Sequence, residues 1–180
     1  MKIIDKIILC CALVISYCFA QCDGFNWHHE IDINDCNLND VNVLKAFIAN
    51  SSSTINLDMD INLNMEVDPL ELGWQLWENG RLIHWICNDV PSPYYAYNYS
   101  CNLSGQIPEN INSLDQIIKF NIQYNNLSGQ IPSSICDLSV SKASSYWFKM
   151  NHNLFCPPFP ECIQTWNKQQ KIDGKSCFQK

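Results

Sequence analysis

The chain has 180 residues, enough for one domain, and its 18 acidic against 11 basic side chains give a formal net charge of -7. An acidic protein repels phosphate backbones, so this balance argues against a nucleic-acid partner and against docking on anionic lipid. The length also fits one domain with appended caps.

The first residues predict a signal peptide over residues 1–20. Lys2 and Lys6 precede an apolar run from Ile7 to Phe19, which is too short to span a bilayer, and small residues before Gln21 favour cleavage after Ala20. No later segment has the apolar length of a membrane helix. We therefore expect a secreted, extracellular protein with no membrane insertion.

Cysteine usage agrees with export. Three of the 11 cysteines fall in the signal segment, and an even number remains: Cys22, Cys36, Cys87, Cys101, Cys136, Cys156, Cys162 and Cys177. An even set in an exported chain predicts four disulfides formed in an oxidising compartment, with buried free thiols as the alternative. Cys22 with Cys36 is the simplest local pair.

Residues 21–57 predict an N-terminal cap that contains one helix. The segment from Asp40 to Ala49 places Val41, Leu44, Phe47 and Ile48 on one helical face. Asp40 has the side chain of a typical N-cap residue.

Residues 58–79 carry an acidic loop with the spacing of an EF-hand calcium site. Calcium prefers hard oxygen donors at alternate positions of such a loop. Here the candidate metal ligands are Asp60, Asn62, Asn64, Glu66, Asp68 and Glu71. Met65 stands where an EF-hand has glycine, and a Met held at positive φ costs roughly 1–2 kcal/mol. A structural Ca²⁺ is one reading, and a solvated or decayed acidic turn is the other.

A seven-residue motif is repeated in the second half of the chain. Asn102–Pro108 recurs identically at Asn126–Pro132, an offset of 24 residues. The residues between and around the copies complete a spaced pattern: Leu114, Ile117, Phe120, Ile122, Asn125, Leu127, Gly129, Ile131 and Pro132. A fixed period of this length is typical of stacked repeat units.

This pattern closely resembles the plant-specific (LSGxIP) class of leucine-rich repeats, found in receptor-kinase ectodomains and polygalacturonase-inhibiting proteins. The resemblance implies an α/β fold: a short right-handed solenoid of about three coils over residues 80–155, with a helical N-terminal cap. Asn125 is expected to turn inward and hydrogen-bond the backbone of adjacent coils. Residues 156–180 are expected to form a disulfide-stapled C-terminal cap, with Cys136 paired to Cys162 and Cys156 to Cys177.

In such a fold the outward strand residues form a concave binding face. The residues predicted there are Lys119, Asn121, Gln123, Tyr124, Tyr146, Trp147, Lys149, Asn151 and His152, with Ile83, His84, Ile86, Ile118, Asn88 and Asp89 beside them. A proline-bounded insert adds a candidate binding loop with Tyr94, Tyr95, Tyr97 and Tyr99. Some of these aromatics could instead cover a thin core, and the insert could fold over the side of the first coil.

The sequence contains no catalytic constellation that would indicate an enzyme. His28, His29 and Glu30 are adjacent, so their side chains diverge, and a solvated patch is the better interpretation. The leading hypothesis is a secreted recognition module that binds a protein, peptide or glycan. The alternatives are a calcium-dependent structural or adhesive protein of the cell surface and an inhibitor of an extracellular hydrolase.

Overall fold

A computed structural model describes residues 22–26, 31–88, 100–140 and 146–164. There are two α-helices, α1 (Leu38–Asn50) and α2 (Glu161–Gln164). The strands are β1 (Gly24–Phe25), β2 (Trp74–Glu78), β3 (Arg81–Ile86), β4 (Ser104–Gly105), β5 (Lys119–Asn121), β6 (Asn126–Gln130), β7 (Phe148–Lys149) and β8 (Leu154–Cys156). Short 3-10 helices cover Ile33–Asp35, Leu57–Met59, Pro69–Glu71, Glu109–Ser113 and Ser133–Asp137.

The strands form two sheets. The larger is a five-stranded mixed sheet in the order β1-β2-β3-β5-β7, and the smaller is a three-stranded parallel sheet in the order β4-β6-β8. In the mixed sheet β1, β2 and β3 pair antiparallel, whereas β3, β5 and β7 pair parallel. The fold is therefore mixed α/β.

The prediction of a right-handed leucine-rich-repeat solenoid is wrong, although its α/β class is right. Three of the five strands in the larger sheet come from an antiparallel β1-β2-β3 unit, which a stack of parallel coils does not contain. Strand β2 lies inside residues 58–79, which the sequence analysis assigned to the acidic loop alone. Parallel pairing is confined to β3-β5-β7 and to the small second sheet.

A two-residue turn explains the antiparallel unit. Asn79 and Gly80 connect β2 to β3 and have φ values of +51° and +76°. Positive φ at both central residues is the requirement of a type I′ turn, for which Asn-Gly is a preferred sequence. This dipeptide between two alternating strands is a strong hairpin signal, and it outweighs the repeat pattern at this point in the chain.

Helix α1 confirms the predicted helix but not its predicted cap. The side chain of Asn37 accepts hydrogen bonds from the backbone N–H groups of Asn39 and Asp40, so Asn37 is the N-cap. Asp40 lies one turn further on and is fully buried. Val41 and Phe47 are buried on the core side of the helix, as expected.

An aromatic stack fills the core between α1 and the parallel strands. Phe47 of α1 contacts Trp85 with ring centroids 4.9 Å apart, Trp85 contacts Phe120 at 5.6 Å, and Phe120 contacts Phe148 at 5.6 Å. All four side chains are fully buried. Because Trp85, Phe120 and Phe148 occupy matching positions on β3, β5 and β7, this stack fixes which face of the sheet points inward.

Two buried asparagines connect the two sheets. The Asn125 Oδ1 atom accepts a hydrogen bond from Leu103 N at 2.8 Å, and Asn125 Nδ2 donates to Cys87 O at 2.7 Å. Asn153 Oδ1 accepts from Leu127 N at 3.0 Å. The predicted inward turn of Asn125, with hydrogen bonds to neighbouring backbone, is confirmed.

Three disulfides join described cysteines. Cys22–Cys36 and Cys136–Cys162 confirm two predicted pairs, and Cys87–Cys101 was not predicted. Cys156 is also disulfide-bonded, and its predicted partner Cys177 lies outside the described residues. These bonds indicate an oxidising environment, extracellular or secretory. Within the described ranges, no helix has the length and apolar character needed to cross a membrane.

A buried ion pair links α1 to the larger sheet. The Asp40 carboxylate is fully buried and accepts from Arg81 Nε at 2.9 Å, from Arg81 Nη2 at 3.0 Å and from Leu82 N at 2.9 Å. Arg81 also contacts Asp115, whose side chain is 59% exposed. The hydrogen bond to Asp40 raises the pKa of Arg81, against the opposing effect of burial. Arg81 therefore keeps the buried Asp40 charge paired.

Replacing Arg81 should show how much the stability of the fold depends on the Asp40–Arg81 ion pair. Arg81→Met leaves the Asp40 carboxylate buried without its cation, and we expect a loss of about 3–5 kcal/mol in the free energy of unfolding. Asp115→Asn removes only the exposed partner, and we expect a loss below about 1 kcal/mol. Urea unfolding of both variants checks the difference, and equal losses would contradict it.

Candidate functional site

The outer face of the five-stranded sheet carries the candidate site. Along each strand the residues that alternate with the buried aromatics point away from the core. We call this surface the open face; its described residues are Phe25, Trp74, Leu76, His84, Ile86, Lys119, Asn121, Trp147 and Lys149. The antiparallel unit thus contributes Phe25 and Trp74, which were not among the predicted site residues because β1 and β2 were not predicted as strands.

Aromatic rings cross the open face perpendicular to the strands. The ring centroids of Phe25 and Trp74 are 5.2 Å apart, those of Trp74 and His84 are 5.9 Å apart, and those of His84 and Trp147 are 6.1 Å apart. Tyr146 meets Trp147 edge-to-face at 4.8 Å. The strip therefore runs from β1 to the edge strand β7, and each ring is held by a neighbouring ring.

Two lysines lie within this strip. His84 is paired with Lys119 across β3 and β5, and Asn121 is paired with Lys149 across β5 and β7, so the two lysines are diagonal neighbours. Lys119 Nζ lies 4.6 Å from the centroid of the Tyr146 ring, a cation–π contact. Among the residues that the structure describes, neither lysine forms a salt bridge.

His84 is kept neutral by its position. Burial lowers its pKa, and the positive charge of Lys119 lowers it further, while Glu78 acts in the opposite direction. A neutral imidazole between Trp74 and Trp147 behaves as an aromatic ring with hydrogen-bonding nitrogens. The positive charge of the open face therefore resides on the lysines.

A second ring pair lies where β5 and β7 end. Tyr124 and His152 stack with centroids 4.0 Å apart and an interplanar angle of 13°. Both residues have left-handed backbone, with φ of +55° and +57°, and Tyr124 N donates to Asn151 O at 3.0 Å. Tyr124 is 39% exposed, so this pair is accessible to a partner.

The remaining residues of the predicted binding face differ in accessibility. Asn121 and Gln123 are almost fully buried, and the Asn121 Oδ1 atom accepts from Gln123 N. Asn151 is half-buried, and Ile118 is exposed. Ile83 is buried, although it is not part of the continuous hydrophobic core cluster, whereas Ile86 and Asn88 are half-buried. The predicted binding loop with Tyr94, Tyr95, Tyr97 and Tyr99 lies outside the described residues, as does Asp89.

The acidic loop is organised around the Asp60 carboxylate. Asp60 Oδ2 accepts from Met65 N at 2.7 Å, and Asp60 Oδ1 accepts from Asn64 N at 3.2 Å. Leu63 and Met65 have φ of +60° and +69°. The left-handed conformation expected at Met65 from the missing glycine is thus present, and the side chain of Met65 is 80% exposed.

Glu71 closes the same loop from its other end. Glu71 Oε1 accepts from Ile61 N at 2.9 Å and from Asn62 N at 3.1 Å. Glu71 Oε2 accepts from Asp68 N at 2.9 Å, which forms part of a capping box on the 3-10 helix that follows. The carboxylates of Asp60 and Glu71 therefore hold the loop through backbone amides.

The amides between these carboxylates complete the loop. Asn62 Nδ2 donates to Asp68 Oδ2 at 2.8 Å, and the Asn62 and Asn64 side-chain oxygens accept from Asn64 N and Glu66 N. Hard oxygen donors suit calcium, and a carboxylate oxygen that accepts one N–H has a further lone pair. In the described part of the chain, however, no three His, Cys, Asp or Glu side chains converge as a metal-binding group.

A groove also lies beside the smaller sheet. Its lining residues are Gln106, Glu109, Gly129–Ser133 and Cys156–Pro160. Glu109 is its one charged lining residue. The open face offers aromatic rings and cations together, so it is the stronger candidate site.

Comparison with models of known protein families finds no match, and comparison with curated proteins finds no similar sequence.

Replacing Met65 with glycine should stabilise the protein. Glycine adopts positive φ without the steric cost that Met65 bears, and Met65 is too exposed to lose packing. We expect Met65→Gly to raise the free energy of unfolding by about 0.5–1 kcal/mol, because the larger entropy of glycine in the unfolded chain offsets part of the gain. Met65→Ala keeps the Cβ atom and should give no gain. A destabilised glycine variant in urea unfolding would contradict this assignment.

Proposed function

We propose that this chain is a recognition module that binds an extracellular protein, peptide or glycan through the open face. One observation carries the proposal: Trp74, His84 and Trp147 form a continuous aromatic strip on the side of the sheet that faces away from the core. Aromatic side chains beside polar groups are enriched at recognition surfaces.

The two faces of the sheet carry different sets of aromatic side chains, and this difference supports the function. Trp85, Phe120 and Phe148 are fully buried in the core, whereas Trp147 on the opposite side packs against the core but stays partly exposed. Tyr124 remains 39% exposed and Tyr146 61% exposed. Solvent exposure of such large rings favours a surface that is covered when a partner binds.

We also propose that the protein is secreted and acts by binding rather than by catalysis. The disulfides indicate an oxidising environment, and residues 1–20 have the sequence of a signal peptide. The repeated motif at Asn102–Pro108 and Asn126–Pro132 supports kinship with leucine-rich-repeat proteins, and that kinship remains a proposal.

Alanine substitution of Trp147 on the open face, and of Tyr124 in the ring pair beside it, tests the function. The full chain, produced in a secretory host so that its disulfides form, is screened against extracellular proteins, peptides and glycans. For any partner found, Trp147→Ala and Tyr124→Ala should each weaken binding by at least about 30-fold, the value of a strong interface anchor.

Lys45 supplies the matched control, because it is an exposed residue of α1 on another side of the molecule. Lys45→Ala should leave the dissociation constant unchanged. If both ring variants bind as tightly as the unmodified chain, neither the open face nor the Tyr124–His152 pair beside it is the binding surface.

A calcium-dependent structural role is the second candidate, with Ca²⁺ as the cofactor. The left-handed Leu63 and Met65 and the bond from Met65 N to Asp60 favour it, because they give the loop the tight turn that a calcium loop requires. Asp60, Asn62, Asn64, Asp68 and Glu71 would supply side-chain oxygens, and Glu66 a backbone carbonyl. A bound ion would brace the joint between α1 and β2.

A thermal melt with millimolar Ca²⁺ and with chelator tests this role. Binding to the folded state alone should raise stability by about 2.7 kcal/mol when calcium exceeds its Kd 100-fold. Asp60→Asn should abolish the rise in melting temperature, while Asp58→Asn, the same charge change just outside the ligand positions, should keep it. An identical melting temperature with calcium and with chelator would exclude the role.

A further inference from the structure

We propose that the partner of the open face is a linear acidic glycan, a sugar chain that carries carboxylate groups. This inference rests on the proposed function and narrows the partner to one chemical class. The juxtaposition that carries it is the pair Lys119 and Lys149 set among Trp147, Tyr146 and His84 on one sheet face.

The distribution of charge points to an anionic partner. The chain has a net charge of -7, and in the described ranges its Lys and Arg residues are Lys45, Arg81, Lys119 and Lys149. Arg81 is paired with carboxylates, and Lys45 lies on α1. The remaining two are diagonal neighbours on the open face, and neither forms a salt bridge within the described residues. Two like charges on neighbouring strands repel each other, and an anion bound beside both would remove that repulsion.

The acidic groups of the face are few. Among the described strands of the larger sheet, Glu78 is the one acidic residue. It lies at the end of β2, and its charge acts to raise the pKa of His84. Lys119 and Lys149 lie on the other half of the sheet, on β5 and β7. An anionic partner that crosses β5 and β7 would therefore meet the cations without meeting Glu78.

The rings beside the lysines suit a sugar. A pyranose ring has an apolar face of C–H groups that packs on an aromatic ring, and hydroxyls around its edge that need hydrogen-bonding partners. Trp147 and Tyr146 supply the rings, while the half-buried Asn151 and the exposed His152 supply polar groups along the same edge of the sheet. Lysine as a compact point charge pairs with a carboxylate in many orientations, which suits a repeated acid group.

A peptide fits this place less well. The backbone of β5 and of the residues that flank it is already hydrogen-bonded: Phe120 N donates to Trp147 O at 2.8 Å, and Ile122 N donates to Lys149 O at 2.9 Å. On the other side Ile118 N donates to Ile83 O at 2.8 Å. A peptide that lies across β5 would find no main-chain partner there, and only the outer side of the edge strand β7 could offer the main-chain bonds from which sheet-binding peptides usually gain affinity. A partner that lies across the face over β5 is therefore bound by side chains, as in carbohydrate recognition.

The test measures binding of the full chain to defined probes by calorimetry. The probes are linear oligouronates in the manno, gluco and galacto configurations, the neutral oligosaccharide that matches each of them, and polyglutamate. We expect at least one oligouronate to bind, its neutral counterpart to bind at least about 10-fold more weakly, and added salt to weaken the acidic probe selectively.

Variants separate charge from packing. Lys119→Gln with Lys149→Gln should reduce oligouronate affinity at least 10-fold, the corresponding Arg pair should retain it, and Lys45→Gln should have no effect. Trp147→Ala should weaken acidic and neutral probes alike. Circular dichroism and melting temperature show that each variant is folded.

The outcomes distinguish this inference from the proposed function. Equal or tighter binding of polyglutamate, or no binding of any oligouronate, overturns the glycan assignment. If a protein partner from the broader screen still loses affinity in Trp147→Ala, the recognition function stands while the glycan assignment falls. If an oligouronate binds and the double glutamine variant binds it equally well, the glycan uses another surface and the inference is wrong.

Discussion

The structure depends on two buried side-chain amides. Asn125 accepts from Leu103 N, just before β4, and donates to Cys87 O, just after β3. It therefore joins the end of one sheet to the beginning of the other. Asn153 repeats the arrangement one strand further along: it accepts from Leu127 N and donates to Ile122 O. Both amides are almost fully buried, so water cannot substitute for them.

The open face follows from this constraint. The amides fix where β5 and β7 end, and the core stack of Trp85, Phe120 and Phe148 fixes which way their side chains alternate. Because the strand register and the inward-pointing side chains are both fixed, Lys119 and Lys149 must lie on the outer side of the sheet. A shift of one residue would bury the lysines and expose the phenylalanines. The core therefore determines the recognition surface.

Local signals in the sequence predicted much of this arrangement. Asn125 and the alternating Phe120 and Ile122 could be interpreted correctly, because a short strand and an inward amide depend on neighbours that the repeat itself supplies. The pairs Cys22–Cys36 and Cys136–Cys162 were also predicted. Helix α1 was predicted from its apolar face, but its N-cap was not. Asp40 forms an ion pair with Arg81, which is distant in the sequence, and no local pattern indicates such a pair.

The solenoid prediction failed because one local turn was overlooked. Asn79-Gly80 between Trp74–Glu78 and Arg81–Ile86 sets an antiparallel hairpin, which replaces a parallel neighbour for β3. Phe25 and Trp74 were not predicted on the open face for the same reason. They lie there because β1 and β2 pair beside β3. Contacts of this kind are set by strand order, which a repeat pattern does not encode.

Urea unfolding of Asn125→Leu tests most directly whether the buried amides hold the two sheets together. Leucine has a similar volume but leaves Leu103 N and Cys87 O buried without their side-chain partner, and each such group costs about 1–3 kcal/mol. We predict a loss of at least about 3 kcal/mol, while Asn126→Leu, an exposed asparagine beside it, should change stability by no more than about 0.5 kcal/mol. A loss below about 1 kcal/mol in Asn125→Leu would contradict the account, because packing and the Cys87–Cys101 disulfide would then hold the sheets together without the amide.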